Sequence, residues 1–341
     1  MKWHKRTIRV GVLAVLTAML LRFALSGMFG SAAGIFAQPE LASFLIYSET
    51  GRRPVLSDER TVASTDTLET TAAVQPPTLP TYVTEPTEPE KLAFTKADAQ
   101  YFGIQYSCSL RPDVDKLLLQ TLQWDLTGDE PTILIIHTHG TEAYTPTPDT
   151  QYQANAAYRT TDDRYNVISM GDELARLLEE AGLCVIHDRT AHDKNDYLDA
   201  YDNARKAVQA YLKKYPSIQM VLDLHRDAAE YADGSQWATA ATVNGEKSAQ
   251  LMFVVGTDAW GLKHPNWKTN LSIAQKLNVL MEKSAPGICR PIDLRGQRFN
   301  HDLAVGAMIV EVGSAGNTHA EAMNAIPVLA EAVISLAHGT R

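Results

Sequence analysis

The chain has 341 residues, 45% of them hydrophobic and 21% charged, which excludes a chain disordered throughout or a collagen-like one. A net charge of −9 argues against a protein that tracks nucleic-acid phosphates, because that affinity comes mostly from Lys and Arg. Three scattered cysteines, Cys108, Cys184 and Cys289, make neither a disulfide framework nor a cysteine zinc module, so any metal site must be built from His and carboxylates.

Residues 1–9 are a basic end carrying Lys2, Lys5, Arg6 and Arg9, and residues 10–37 are apolar apart from Arg22. About 20 such residues cross a bilayer. Two readings are open: a signal peptide cut near Ser31-Ala32-Ala33, or an uncleaved anchor with Arg22 snorkelling outward. The run is long for a signal sequence and its cleavage site is weak. That points to a single-pass cell-membrane anchor, with the basic end inside and the rest extracytoplasmic. Residues 38–97 hold no hydrophobic period and end rich in Thr, Pro and Glu, with Pro76, Pro77, Pro80, Pro86 and Pro89 close together. They read as an extended stalk.

Across residues 98–341 strands and helices alternate. A helix is expected near Val114–Leu122. Ile133–Ile136 reads as a strand covered on both faces. Val167, Met170, Leu174, Leu177, Leu178 and Ala181 share helical spacing, with Gly182 as the stop. Leu183–Ile186 is a strand, Tyr197–Lys214 a helix, Met220–Leu224 and Leu251–Val255 strands, Ser272–Ser284 a helix, Met308–Val312 a strand and Thr318–His338 a helix. This order predicts an α/β layer fold with a mainly parallel sheet, whose ligands sit beyond the carboxyl ends of the strands.

Three strands run into metal-type groups. Ile133–Ile136 leads to His137, His139 and Glu142; Met220–Leu224 leads to His225-Arg226-Asp227; and Glu311 closes the run Met308–Val310. His139, Glu142 and His225 are two imidazoles and a carboxylate, the ligand set of a catalytic zinc with one open position. Asp162 is a second candidate for the carboxylate. Glu311, flanked by Ile309, Val310 and Val312, suits a general base and acid, and desolvation there is expected to raise its pKa towards neutrality. His137 shares a strand face with His139, and Asp223 with His225, so either can support a ligand. Each element has an ordinary structural alternative; their gathering at strand ends carries the metal reading. A metallo-β-lactamase would need Asp and His where Thr141 and Glu142 stand, and a TIM barrel needs eight βα units.

The segment His137-Thr138-His139-Gly140-Thr141-Glu142-Ala143-Tyr144, then Asn166-Val167 with Gly171-Asp172-Glu173-Leu174, then Asp223-Leu224-His225-Arg226-Asp227, then Glu311-Val312-Gly313 with Asn317, resembles the stage II sporulation protein P family. That family groups with the zinc-dependent N-acetylmuramoyl-L-alanine amidases of bacterial walls. The resemblance covers about residues 98–341, with the motifs in the family's order. It implies a three-layer α/β fold of the zinc amidase and carboxypeptidase kind. It also implies cleavage of the amide between the lactyl group of N-acetylmuramic acid and L-alanine in peptidoglycan. His139, Glu142 and His225 would hold Zn²⁺, Glu311 would deliver the proton to the leaving amine, and Arg226 would pair with a peptide carboxylate or with an Asp. It further implies septal wall remodelling during sporulation engulfment, an associated endopeptidase activity and a lytic transglycosylase as partner. His301 after Asn300 departs from the family, where Gln is expected. A stem-peptide carboxypeptidase and a non-catalytic membrane-tethered binding module are the competing readings. Cys184 reads as a small buried hydrophobe, and Cys108 and Cys289 as a pair that an oxidising exterior would allow to join.

Overall fold

The computed structural model describes residues 53–54, 92–231 and 233–339. Contacts divide the chain into two units, Met1–Val55 and Leu56–Arg341; of the first, only the two-residue strand Arg53–Pro54 is described. The basic end, the apolar run 10–37 and the stalk up to residue 91 otherwise lie outside the described residues. In the second unit the Leu92 N–H bonds the Gly339 carbonyl at 2.9 Å, so the two ends of the described body meet.

Strands β1 (Ile104–Ser107), β2 (Ile133–Ile136), β3 (Val185–His187), β4 (Met220–Asp227), β7 (Leu251–Gly256), β8 (Ile292–Arg295) and β9 (Ala307–Ser314) form one sheet in the order β1-β8-β7-β9-β4-β2-β3. Between β4 and β7 lies a hairpin of β5 (Ala241–Val243) and β6 (Glu246–Ser248). The helices are α1 (Val114–Leu118), α2 (Val167–Glu180), α3 (Ala200–Lys214), α4 (Trp267–Ser284), α5 (His319–Met323) and α6 (Ile326–Gly339). The expected α/β architecture with a mainly parallel sheet is present. Every pairing in this seven-stranded sheet is parallel except β7 with β9. That one seam sends the carboxyl ends of β2, β4 and β9 to one edge of the sheet and those of β1, β7 and β8 to the other.

The two faces are covered unequally. Ile135, Leu222, Leu224, Val310 and Val312 belong to the large core shared with Leu174 of α2, Leu277 of α4 and Val333 of α6. The opposite face presents Leu134, Ile136, Val221 and Ala307 to Ala204 and Val208 of α3, and beside them Met252, Val254 and Ile309 to Phe299. The register pairs Val221 with Ala307, Asp223 with Ile309 and His225 with Glu311, so Asp223, His225 and Glu311 continue this thinner face.

Several boundaries differ from the sequence reading, each for a local reason. Strand β4 runs on through His225 to Asp227, because β9 pairs with it that far. The C-terminal helix is two helices: Pro327 lacks an N–H, and its ring would clash with the Met323 carbonyl, so the chain breaks at Asn324-Ala325. The stretch His319–Gly339 is apolar enough to cross a membrane by length and composition, yet over half of its most apolar window is buried inside the protein. The helix expected near Val114–Leu122 stops at Leu118, where buried Lys276 donates to the Leu117 and Leu118 carbonyls. The three cysteines are free thiols, each half-buried; Cys184 lies just before β3 rather than inside it.

Gly171 of α2 leaves room for His137 and His187, whose Nε2 atoms lie 2.8 Å apart; a Cβ at Gly171 would collide with both. In an open helix Gly→Ala gains about 1 kcal/mol. Here Gly171→Ala is expected to lose about 1–3 kcal/mol instead, because the two rings must be displaced. The midpoint and slope of urea unfolding measure it.

Candidate metal centre

The segment after β2 is folded back by two matched contacts. Thr138 donates its backbone N–H and its hydroxyl to the two oxygens of Asp223, at 2.8 and 2.5 Å. Thr141 does the same to Asp193, at 3.1 and 2.5 Å. Between them the Glu142 N–H closes a turn onto the His139 carbonyl. Gly140 is required at the apex, since a Cβ there would lie 2.7 Å from Ala191 Cα. The turn brings His139 and Glu142 together, and β4 supplies His225 opposite.

His139 Nδ1 is 3.6 Å from Glu142 Oε1, His225 Nδ1 is 3.3 Å from Glu142 Oε2, and one ligand atom from each residue lies within 4.8 Å of the others. All three residues are buried. A zinc site with bonds of about 2.0–2.2 Å has donors about 3.3–3.6 Å apart, so the set fits a single ion. His139 Nδ1 is buried without a hydrogen-bond partner, which is what a ring nitrogen reserved for a metal would show.

The surroundings set the charge state of these groups. Burial opposes charge on Glu142, but Arg226, His139 and His225 outweigh it and hold its pKa well below the usual carboxylate range. Burial lowers the His139 pKa. Burial likewise opposes a charged His225 ring, but Asp223 and Glu142 reverse that and raise its pKa well above the ordinary imidazole value. Asp223 Oδ1 lies 3.0 Å from His225 Nε2. Despite burial, Asp223 is pushed down to about 2 by His225 and Thr138. It therefore faces the ring nitrogen away from Glu142, where an orienting carboxylate belongs.

Glu311, also buried, stands beside His225 across the β4–β9 pair. Tyr144, two residues after Glu142, donates from its hydroxyl to the Val312 carbonyl at 3.0 Å and ties the turn to the strand carrying Glu311. Burial raises the Tyr144 pKa, which keeps this donor protonated. Beyond Glu311 the register of β9 shifts before Ser314, with Gly313 at φ 68°, and Asn317 fastens the bulge by accepting the Ser314 and Thr239 N–H groups at 3.0 Å.

Other candidates stand elsewhere. His137 is not on the face of His139, because β2 ends at Ile136 and strand alternation does not extend past it. Its Nδ1 bonds the Leu224 carbonyl at 3.1 Å and its Nε2 meets His187 on the α2 side. Arg226 pairs neither with an Asp nor outward towards a substrate. It is buried, donates to the carbonyls of Ala143 and Tyr158, and offers its backbone N–H to Glu142 Oε2. Asp162 lies away from the centre, paired with Arg164. Residues not singled out in the sequence complete the wall. Arg159 joins Asp193 at 2.6 Å and Glu142 at 3.4 Å; Tyr197 stacks on His139 at 4.5 Å; and Tyr201 meets the same ring edge-on.

A metal at this centre would have to displace the proton on His225 Nδ1, which faces Glu142, while Asp223 keeps the proton on Nε2. The raised pKa keeps that proton on as pH rises through neutrality. Zinc affinity is therefore expected to climb between about pH 6 and 8, with proton release on binding. Calorimetry of the full-length chain in buffers of differing ionisation enthalpy measures both; affinity flat with pH and no proton release would contradict the arrangement.

The stage II sporulation protein P (SpoIIP) family profile matches residues 53–334. The stage II sporulation protein P of Bacillus subtilis (strain 168) is 30% identical over 216 residues, 60% of this chain and 51% of that protein, so the chain matches about half the length of this curated relative. Among solved structures, the N-acetylmuramoyl-L-alanine amidase AmiC2 of Nostoc punctiforme is 10% identical, with a TM-score of 0.36 over 61% of this chain and 98% of its own. The N-acetylmuramoyl-L-alanine amidase of Clostridium difficile 630 is 11% identical, with a TM-score of 0.35 over 61% and 97%. The profile spans most of the sequence, and the chain belongs to the stage II sporulation protein P family.

Proposed function

We propose that this chain is a zinc-dependent N-acetylmuramoyl-L-alanine amidase that cuts peptidoglycan during sporulation. The observation that carries the reading is the meeting of His139, Glu142 and His225 within reach of one ion, with Glu311 as the register partner of His225 on the next strand. Membership of the stage II sporulation protein P family supplies the sporulation context.

When bound, zinc supplies Lewis-acid polarisation of the amide carbonyl and lowers the pKa of water from 15.7 to about 7. His139, Glu142 and His225 hold the ion. Arg226 and Arg159 keep Glu142 ionised, and Asp223 keeps the His225 ring in place. Glu311 takes a proton from the attacking water and returns it to the amide nitrogen as the carbon–nitrogen bond breaks. The products are a lactyl carboxylate and a free amino terminus on alanine.

Long-range attraction does not explain wall targeting, since a chain of net charge −9 gains none towards an anionic polymer. A membrane anchor at residues 10–37 and a stalk over 38–97 would supply it by confinement, with the extracytoplasmic body kept within reach of the wall and of a lytic transglycosylase partner.

Glu311→Gln keeps the shape and removes the proton carrier. It is expected to lower digestion of purified walls by about 10²–10⁴-fold while zinc content and unfolding midpoint stay near wild type. Wild-type rates in this variant would remove Glu311 from the chemistry. Chelation should abolish digestion and added zinc restore it. Product analysis separates the competing readings: new L-alanine amino termini with intact saccharides mark the amidase, free D-amino acids the carboxypeptidase, and no release at all a binding module.

A further inference from the structure

A small cavity lies between α3 and the thinner face of the sheet, and its polar lining is Thr138, Asp223, Asn300 and His301. His301 is buried at 3% exposure. Its Nδ1 accepts the Gly256 N–H at 3.1 Å, so the proton of the neutral ring sits on Nε2. Burial, with His264 nearby, lowers its pKa to about 3, so the ring is neutral at physiological pH. This Nε2–H is buried and finds no hydrogen-bond partner in the protein. A buried donor left dry is costly, and a polar cavity with room for about one water relieves it when two or more polar groups face that water.

Asp223 faces the same space. Its oxygens receive Thr138 and lie against His225, but an ionised carboxylate has about four acceptor positions, which leaves one for a water. The wall carrying His301 is held firmly. Asn300 Nδ2 donates to the Tyr201 carbonyl at 3.0 Å, Arg205 grips both oxygens of Asp302 at 2.8 Å, and Asn270 Nδ2 donates to the His301 carbonyl at 3.2 Å. The donor therefore cannot swing to solvent.

We propose that His301 is a positioning residue for the metal centre, its Nε2–H donating through a water in this cavity to Asp223 and so fixing the carboxylate that holds the His225 ring. The inference rests on the metal reading above and adds a support to it from outside the motifs. His301→Leu removes the donor. His301→Gln keeps the function, since its amide oxygen can accept from Gly256 while its NH₂ donates into the cavity.

The test measures zinc affinity of the full-length chain by competition with a chromogenic chelator, alongside a high-resolution crystal structure of the wild type. His301→Leu is expected to bind zinc about tenfold more weakly, and His301→Gln within about threefold of wild type, in line with the effect of groups that orient ligands. A merely structural role would lower the unfolding midpoint of both variants and leave affinity unchanged. The crystal structure is expected to hold a water bridging His301 Nε2 and Asp223. A wild type that binds zinc while His301→Leu binds it equally well overturns this inference alone. A wild type that takes up no zinc overturns the metal reading and this inference with it. If His301→Leu does not fold, a dry cavity in the wild type is sufficient to overturn the inference.

Discussion

One buried carboxylate links the parts of the centre. Asp223 belongs to β4, but it takes both the N–H and the hydroxyl of Thr138, the second residue after β2. The same group lies against His225 two residues along its own strand. It thus joins the turn carrying His139 and Glu142 to the strand carrying His225. A buried carboxylate is tolerated only when its oxygens are satisfied. Here three neighbouring donor groups meet that condition, and each is itself part of the centre or adjacent to it. Asp193 repeats the device at Thr141 and adds Arg159, whose charge also reaches Glu142. The negative charge of Glu142 is therefore balanced by groups that at the same time fix the loop.

The sheet places this arrangement on its more lightly covered face. Three helices and the main core press on one face, while the other is covered by α3 and the turn around Phe299. Asp223, His225 and Glu311 project from the lightly covered side. The antiparallel seam between β7 and β9 leaves β3, β2, β4 and β9 ending at the site edge. The polar, metal-type residues sit on β2, β4 and β9 or just after them.

Much of this was legible in the sequence because the central strands are buried on both faces and read as unbroken apolar runs, as in Ile133–Ile136 and Met308–Val310. The candidate site residues stood out as polar groups at or soon after the ends of those runs. What was not legible has local causes. Strands β1 and β8 carry Gln105, Asp293 and Arg295 inside four-residue segments, so no apolar run exists. The β5–β6 hairpin did leave a signal, Asn244-Gly245, whose positive φ values of 53° and 85° are those a tight turn demands. His137 was misplaced because alternation was extended past Ile136, where the strand ends, as far as His139. Arg159, Asp193 and Tyr197 lie in irregular segments where no periodicity exists, and only the folded chain brings them to Glu142 and His139.

The last strand of the chain, β9, occupies the middle of the sheet, between β4 and β7. During synthesis the amino-terminal strands emerge first, and the place beside His225 stays open until β9 slots in. A partly made or truncated polypeptide carries the paired imidazoles but lacks Glu311. The proposed wall-cutting capacity would thus arrive only with completion of the sheet, a safeguard for a cell whose envelope is the material to be cut.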